Sequence, residues 1–124
     1  MSVNPIRLLL FCVLTPTLAS AQSYTITTFA GTGNANYSMD LWPATLAGLN
    51  GPNGVAVDQG GNVYIADCNN RRVRKVAPDR TITTVAGNGN GGFSGDGGPA
   101  ILSSVDCPSD VKVDSAGNLF IVDN

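Results

Sequence analysis

Histidine is absent from all 124 residues. That removes the commonest general base near neutral pH and the commonest zinc ligand together. Charge is scarce as well: charged residues make up 13% of the chain, nine acidic against seven basic, for a net charge of −2. Phosphate attraction needs a basic surface, so a general nucleic-acid binder is excluded, whereas sugars, peptides and proteins remain open as ligands. Long apolar runs are missing too. The unbroken stretch Leu8 to Leu14 falls well short of the roughly 20 residues a membrane-spanning helix needs, so no stable membrane span is expected. No stretch holds helical periodicity, and helix should be scarce. What is abundant is fifteen Gly and seven Pro beside many Val, Ile and Thr, the composition of an all-β exported protein.

The N-terminus reads as a targeting segment. Met1 to Arg7 carries one basic side chain, the apolar run follows, and Ala19-Ser20-Ala21 supplies the small residues a signal peptidase requires. Residues 1–21 are therefore expected to be a signal peptide cleaved after Ala21, with 22–124 as one small secreted or extracytoplasmic domain. Cys12 follows the bulky Phe11, which argues against lipid attachment.

An internal repeat decides the architecture. Ile26-Thr-Thr-Phe-Ala-Gly31 recurs as Ile82-Thr-Thr-Val-Ala-Gly87, an offset of 56 residues that then holds without a gap. Ser38, Asp40, Pro43 and Ala44 return as Ser94, Asp96, Pro99 and Ala100; Pro52, Val55, Val57 and Asp58 return as Pro108, Val111, Val113 and Asp114. Gly61-Asn62, Ile65 and Asp67 return as Gly117-Asn118, Ile121 and Asp123, so the copies span about 25–68 and 81–124. Within one period, alternating apolar positions bounded by turn residues predict four strands, a at about 54–58, b at 62–67, c at 72–77 and d at 81–86. Asp58-Gln-Gly-Gly-Asn62 and Ala77-Pro-Asp-Arg80 read as hairpin loops. A lone four-stranded meander leaves both faces and both edges bare, so tandem copies are expected to stack as propeller blades, with a solenoid or separate sheets as alternatives.

Pro52-Asn-Gly-Val-Ala-Val-Asp58, Gly61-Asn-Val-Tyr-Ile-Ala-Asp67 and Asn70-Arg-Arg-Val-Arg-Lys-Val76 resemble the NHL repeat. With Gly95-Asp-Gly-Gly-Pro-Ala100, the pattern is similar to the longer repeats of bacterial exported and teneurin-like NHL proteins. Two positions depart from it: Arg71 stands where a His or similar residue is usual, and Met39-Asp-Leu-Trp42 replaces a glycine-rich turn. The resemblance implies a β-propeller of about six blades that serves as a non-catalytic binding scaffold. Six-bladed relatives also include lyases and lactonases, so the alternative is an enzyme remnant whose catalytic residues lie outside this chain. A spacer within a longer cell-surface protein is a third class. In strand order the chain reads d, a, b, c, d, a, b, with Thr25 to Ala30 expected as the outer strand d of a preceding or terminal blade and 110–122 as the start of a further one, which is one complete blade with flanking partial blades. It is expected to be a fragment of a longer propeller; assembly of several short chains into one ring is the alternative, disfavoured because two blades require eight strands and seven are counted, which leaves open edges.

The candidate sites follow from this frame. Cys68 and Cys107 are the two cysteines outside the signal segment, and their places in the blade lie on one face of the ring, so a disulfide stapling blade to blade is expected. Asp58, Asp67, Asp114 and Asp123 end strands at equivalent places, where turn and backbone duty is favoured over calcium binding. Gly87-Asn-Gly-Asn-Gly-Gly92 matches a dinucleotide fingerprint in form, but no helix opens after it, and it reads as a flexible connector. Arg71, Arg72, Arg74 and Lys75 read as a solvated outer strand. Asn69, Asn70 and Arg71, in the loop face where propeller ligands meet the ring, are the candidate ligand contacts. Trp42 joins them as a residue able to stack on a sugar or partner, as does Tyr37. No cofactor, metal or catalytic residue is expected.

Overall fold

Side chains that alternate between two faces require each strand to bury one set on each side, and the chain satisfies this by packing a sheet between two covers. The computed structural model describes residues 23–124, so the expected signal peptide lies outside the described residues. The strands are β1 (Trp42–Pro43), β2 (Pro52–Val57), β3 (Val63–Asp67), β4 (Arg72–Val76), β5 (Thr81–Ala86), β6 (Pro108–Val113) and β7 (Leu119–Asp123). Short 3-10 turns occupy Ala44–Leu46, Cys68–Asn70 and Ala100–Leu102, and the fold is all-β.

β2 to β5 form the complete antiparallel blade, in sheet order β1-β5-β4-β3-β2. β2 pairs with β3 through Val55↔Ile65 and Val57↔Val63, and β3 with β4 through Val63↔Val76 and Asp67↔Arg72. The β2–β3 turn is set by Asp58, whose carboxylate accepts the Asn62 N–H at 2.9 Å, the Asn62 side-chain amide at 2.7 Å and the Tyr64 hydroxyl at 3.1 Å. Gly61 supplies the positive φ of 79° that this turn needs. The clasp recurs at Asp114 and Asn118 between β6 and β7.

One face of the blade buries Ile65, Val76 and Ile82 under Ala44 and Ala47 from the preceding segment. The opposite face buries Tyr64, Ala66, Val73 and Ala86 against Val111, with Val113, Leu119 and Ile121 of the β6–β7 hairpin packed around them. Fully burying one aliphatic side chain such as Val111 contributes roughly 1.5–3 kcal/mol, so these two contacts hold the layers together. β2 and β6 approach so closely that a Cβ added to Gly54 would lie 2.5 Å from the Asp110 Cα.

Two expectations are corrected. Thr25 to Ala30 forms no strand, because no strand c stands beside it among the described residues to accept its backbone hydrogen bonds. The outer edge of β5 is covered instead by β1, through Trp42↔Ile82 and Pro43↔Thr81. The glycine-rich run 87–92 is also tied down: Gly87 N–H donates to Ala100 O at 3.0 Å and Asn88 N–H to Ser103 O at 3.0 Å. Arg72 adds a bond to Asn88 O at 2.9 Å.

Candidate functional site

The residues expected to contact ligand divide into two places. Asn69, Asn70 and Arg71 sit at the β3–β4 end of the blade, whereas Trp42 pairs with Ile82 beside the β4–β5 turn at the opposite end. Trp42 is half exposed but is not brought to the loop.

The loop itself is built from a buried acid. Asp67 ends β3 with no exposed surface, and its carboxylate accepts the Asn50 N–H at 2.7 Å and the Asn70 side-chain amide at 2.8 Å. Burial raises the Asp67 pKa above the ordinary carboxyl value, while those hydrogen bonds and the charges of Arg74 and Arg72 pull it back. Asn70 is consequently buried; its amide also donates to Asn36 O at 2.9 Å. Its side chain holds the loop in place and turns inward from solvent.

Arg71 follows in the left-handed region, with φ 53°, and its exposed side chain lies 3.5 Å from Asp106. Asn69 is exposed and donates to the Asn50 side-chain oxygen at 3.2 Å. Cys68 and Cys107 are joined by a disulfide that links the end of β3 to the entry of β6. Asn69 and Arg71 are thus displayed from a backbone fastened by the bridge on one side and by Asp67 on the other.

The basic cluster departs from its reading as a solvated strand. Arg74 has no exposed surface. Its guanidinium donates to Asp40 Oδ1 at 3.1 Å and Ser38 O at 3.3 Å, and lies 3.9 Å from Asp67 Oδ2. Thr84 donates to the same Asp40 oxygen at 2.9 Å. Nε and Nη1 of Arg74 have no hydrogen-bond partner. The Tyr37 ring carries Arg72 at 4.0 Å and Arg74 at 4.9 Å from its centroid, so it packs on the protein's own cations. Sequence reasoning missed this socket, although the recurrence of Ser38 and Asp40 at Ser94 and Asp96 was its signal.

The remaining strand-end acids serve the backbone. Asp123 accepts the Asp106 N–H at 3.0 Å and the Cys107 N–H at 2.9 Å, repeating the duty of Asp67. Hydrogen bonds from the Asn62 and Asn118 side chains lead the causes that lower the pKa of Asp58 and Asp114. No helix among the described residues is long and apolar enough to cross a membrane.

Comparison with known proteins places this geometry in a family of folds. Residues 49–76 match the NHL repeat, so the chain carries an NHL repeat whose matched stretch includes β2, β3 and β4. A structural genomics protein of unknown function from Bacteroides thetaiotaomicron is similar at 27% identity, with a TM-score of 0.67, over 77% of this chain and 24% of that one. An auxiliary nutrient binding protein from the same organism is similar at 23% identity, with a TM-score of 0.60, over 77% of this chain and 25% of that one. A provisionally assigned phosphatase, also from that organism, is similar at 22% identity, with a TM-score of 0.58, over 74% of this chain and 23% of that one. The chain therefore spans about a quarter of the length of the solved structures it matches. No curated protein matches it.

Proposed function

We propose that this chain is a non-catalytic segment of an exported NHL propeller that displays the Asn69–Arg71 loop to a protein, peptide or glycan. One observation carries the reading. The acids that chemistry would need, Asp58, Asp67, Asp114 and Asp123, are engaged in backbone and turn bonds, while Asn69 and Arg71 stand exposed on a fastened loop. Rigid presentation lowers the entropy lost on binding. Export is supported by the Cys68–Cys107 bridge, since disulfides persist in oxidising compartments. Nutrient binding is said of one structural neighbour and phosphatase chemistry of another; at such identities they carry the fold, and the choice rests on this chain's own side chains.

Glycan and peptide arrays probed with the purified chain, followed by calorimetry on the strongest hit, test the reading. Asn69→Ala with Arg71→Ala is expected to weaken that hit about tenfold, in line with the loss of two polar contacts, and Trp42→Ala to leave it unchanged. Unaltered affinity in the loop variant, or turnover of a phosphomonoester such as p-nitrophenyl phosphate, would overturn it.

A further inference from the structure

Asparagine is chemically labile, and most so before glycine, where no β-carbon hinders the next backbone nitrogen from reaching the side-chain amide carbon. The chain has four such pairs, beginning at Asn50, Asn53, Asn88 and Asn90. Three are held. The Asn88 amide donates to Leu102 O at 2.9 Å and Ser104 Oγ at 3.2 Å, and its oxygen accepts the Asn90 N–H at 2.8 Å. Asn50 accepts from the Asn69 side chain at 3.2 Å, and its own N–H is fixed on Asp67 at 2.7 Å. Asn53 lies within β2, where the sheet keeps the backbone extended. Asn90 is exposed, and among the described residues neither its side chain nor the Gly91 N–H has a hydrogen-bond partner. That exposure belongs to the connector. Asn34, 56 residues earlier, is exposed as well, and its N–H makes the equivalent bond to Thr32 Oγ1 at 3.2 Å. The complete blade follows Asn34 and precedes Asn90, so the two copies meet it from opposite sides. Gly91 has no positive φ, so no turn demands it. Space does: a Cβ there would lie 3.0 Å from both Arg71 Nε and Asp106 Oδ1.

We propose that Asn90 is a self-modification site, at which the side-chain amide is converted to a carboxylate beside the Arg71–Asp106 ion pair. The Gly91 nitrogen attacks Asn90 Cγ, and a C–N bond forms as the bond from Cγ to Nδ2 breaks. Nδ2 leaves as ammonia, carrying away the proton that Gly91 gave up, and a succinimide ring remains. Water then opens the ring at either carbonyl. One opening gives aspartate; the other gives isoaspartate, in which the main chain runs through the former side-chain carbon. No oxidant, metal or second protein enters, and the protein gains one negative charge. Isoaspartate also adds a methylene to the main chain immediately before the glycine that packs on Arg71 and Asp106. Either product therefore alters how Arg71 is held. The packing that forbids a side chain at position 91 is what keeps the labile pair in place. The conversion does not depend on what the Asn69–Arg71 loop binds.

The test incubates the purified whole chain at mildly alkaline pH and follows each asparagine by peptide mapping, with fragmentation that separates aspartate from isoaspartate. Asn90 is expected to convert first, roughly tenfold or more ahead of Asn88, which must give up its amide hydrogen bonds before it can react. Asn50 and Asn53 should lag as well. Asn34 is exposed but precedes Ala35, and it should lag for want of a glycine. In urea the four Asn-Gly pairs are expected to convert at similar rates, because the order is set by the fold. Ser104→Ala removes one bond from Asn88 and should speed conversion there severalfold while leaving Asn90 unchanged. The Arg71 Nε–H resonance is expected to shift in the converted protein. Equal rates at Asn88 and Asn90 in the folded chain, or the same lead of Asn90 in urea, would overturn the proposal. An unmoved Arg71 resonance would overturn the coupling to the ion pair.

Discussion

Arg74 and Asp67 are opposite charges with no exposed surface, and each keeps the other tolerable in a place that water does not reach. Removing one partner leaves an uncompensated charge, a loss of roughly 3–5 kcal/mol in comparable sites. Arg74→Met, which keeps an unbranched stem and removes the guanidinium, is expected to lower unfolding free energy by about that amount at pH 7 in a urea melt. Burial already raises the folded-state pKa of Asp67, and loss of the cation raises it further. A group with a raised folded pKa favours the fold while protonated and loses that contribution as pH rises through the folded value. The deficit of the variant should therefore shrink as pH is lowered toward the ordinary carboxyl value of 3.8; a deficit independent of pH would contradict the account. Little of this residue-level design was legible in the sequence. Asp40 lies 34 residues from Arg74, and alternation along β4 assigns Arg74 to a face without saying what covers it. The Asp58 and Asp114 clasps were legible because Asp and Asn at the two ends of a short glycine-containing turn act on their own backbone.

At the scale of elements, the strands followed the period-two pattern closely, and their boundaries fell within two residues of expectation at β2 to β5. Alternation is a local property that survives without knowledge of neighbours. Thr25 to Ala30 shows where it stops, because that segment differs from its repeat partner only in Phe29 for Val85 and lacks a strand to pair with. β1 was illegible for the complementary reason: two residues carry no period, and their pairing depends on the place where the chain happens to cross β5. The bridge between Cys68 and Cys107 closes a separation of 39 residues, and a loop of that size restrains the unfolded chain by roughly 3–4 kcal/mol. Reduction with a phosphine, or the Cys68→Ser with Cys107→Ser pair, is expected to lower unfolding free energy by about that amount and to loosen the β6–β7 hairpin first. Hydrogen exchange read at Val111 and Ile121 checks the order, and equal loss of protection throughout the sheet would count against it.

For the whole molecule, the repeat carried most of the information, since one offset set blade content, blade order and the identity of the packed faces. Ligand identity was not legible, because turn and strand residues recur for folding while loop residues are free to differ. The outer faces stay bare: Val57 and Phe120 are each 60% exposed, with Val55 and Val122 beside them. Exposed apolar surface of this kind drives association, so the isolated chain is expected to self-associate in a concentration-dependent way, seen by light scattering after gel filtration. Val57→Thr with Phe120→Thr should reduce it, and a monodisperse monomer of the parent chain would refute it. The close approach at Gly54 gives such stacking a direction. Asp110 is the repeat counterpart of Gly54, and its carboxylate holds Lys112 at 2.7 Å where the earlier blade has only a hydrogen. The two blades are therefore not interchangeable: a further sheet laid on β6 at the spacing that separates β2 from β6 meets a side chain, and must stand farther off or bring a residue that welcomes an acid.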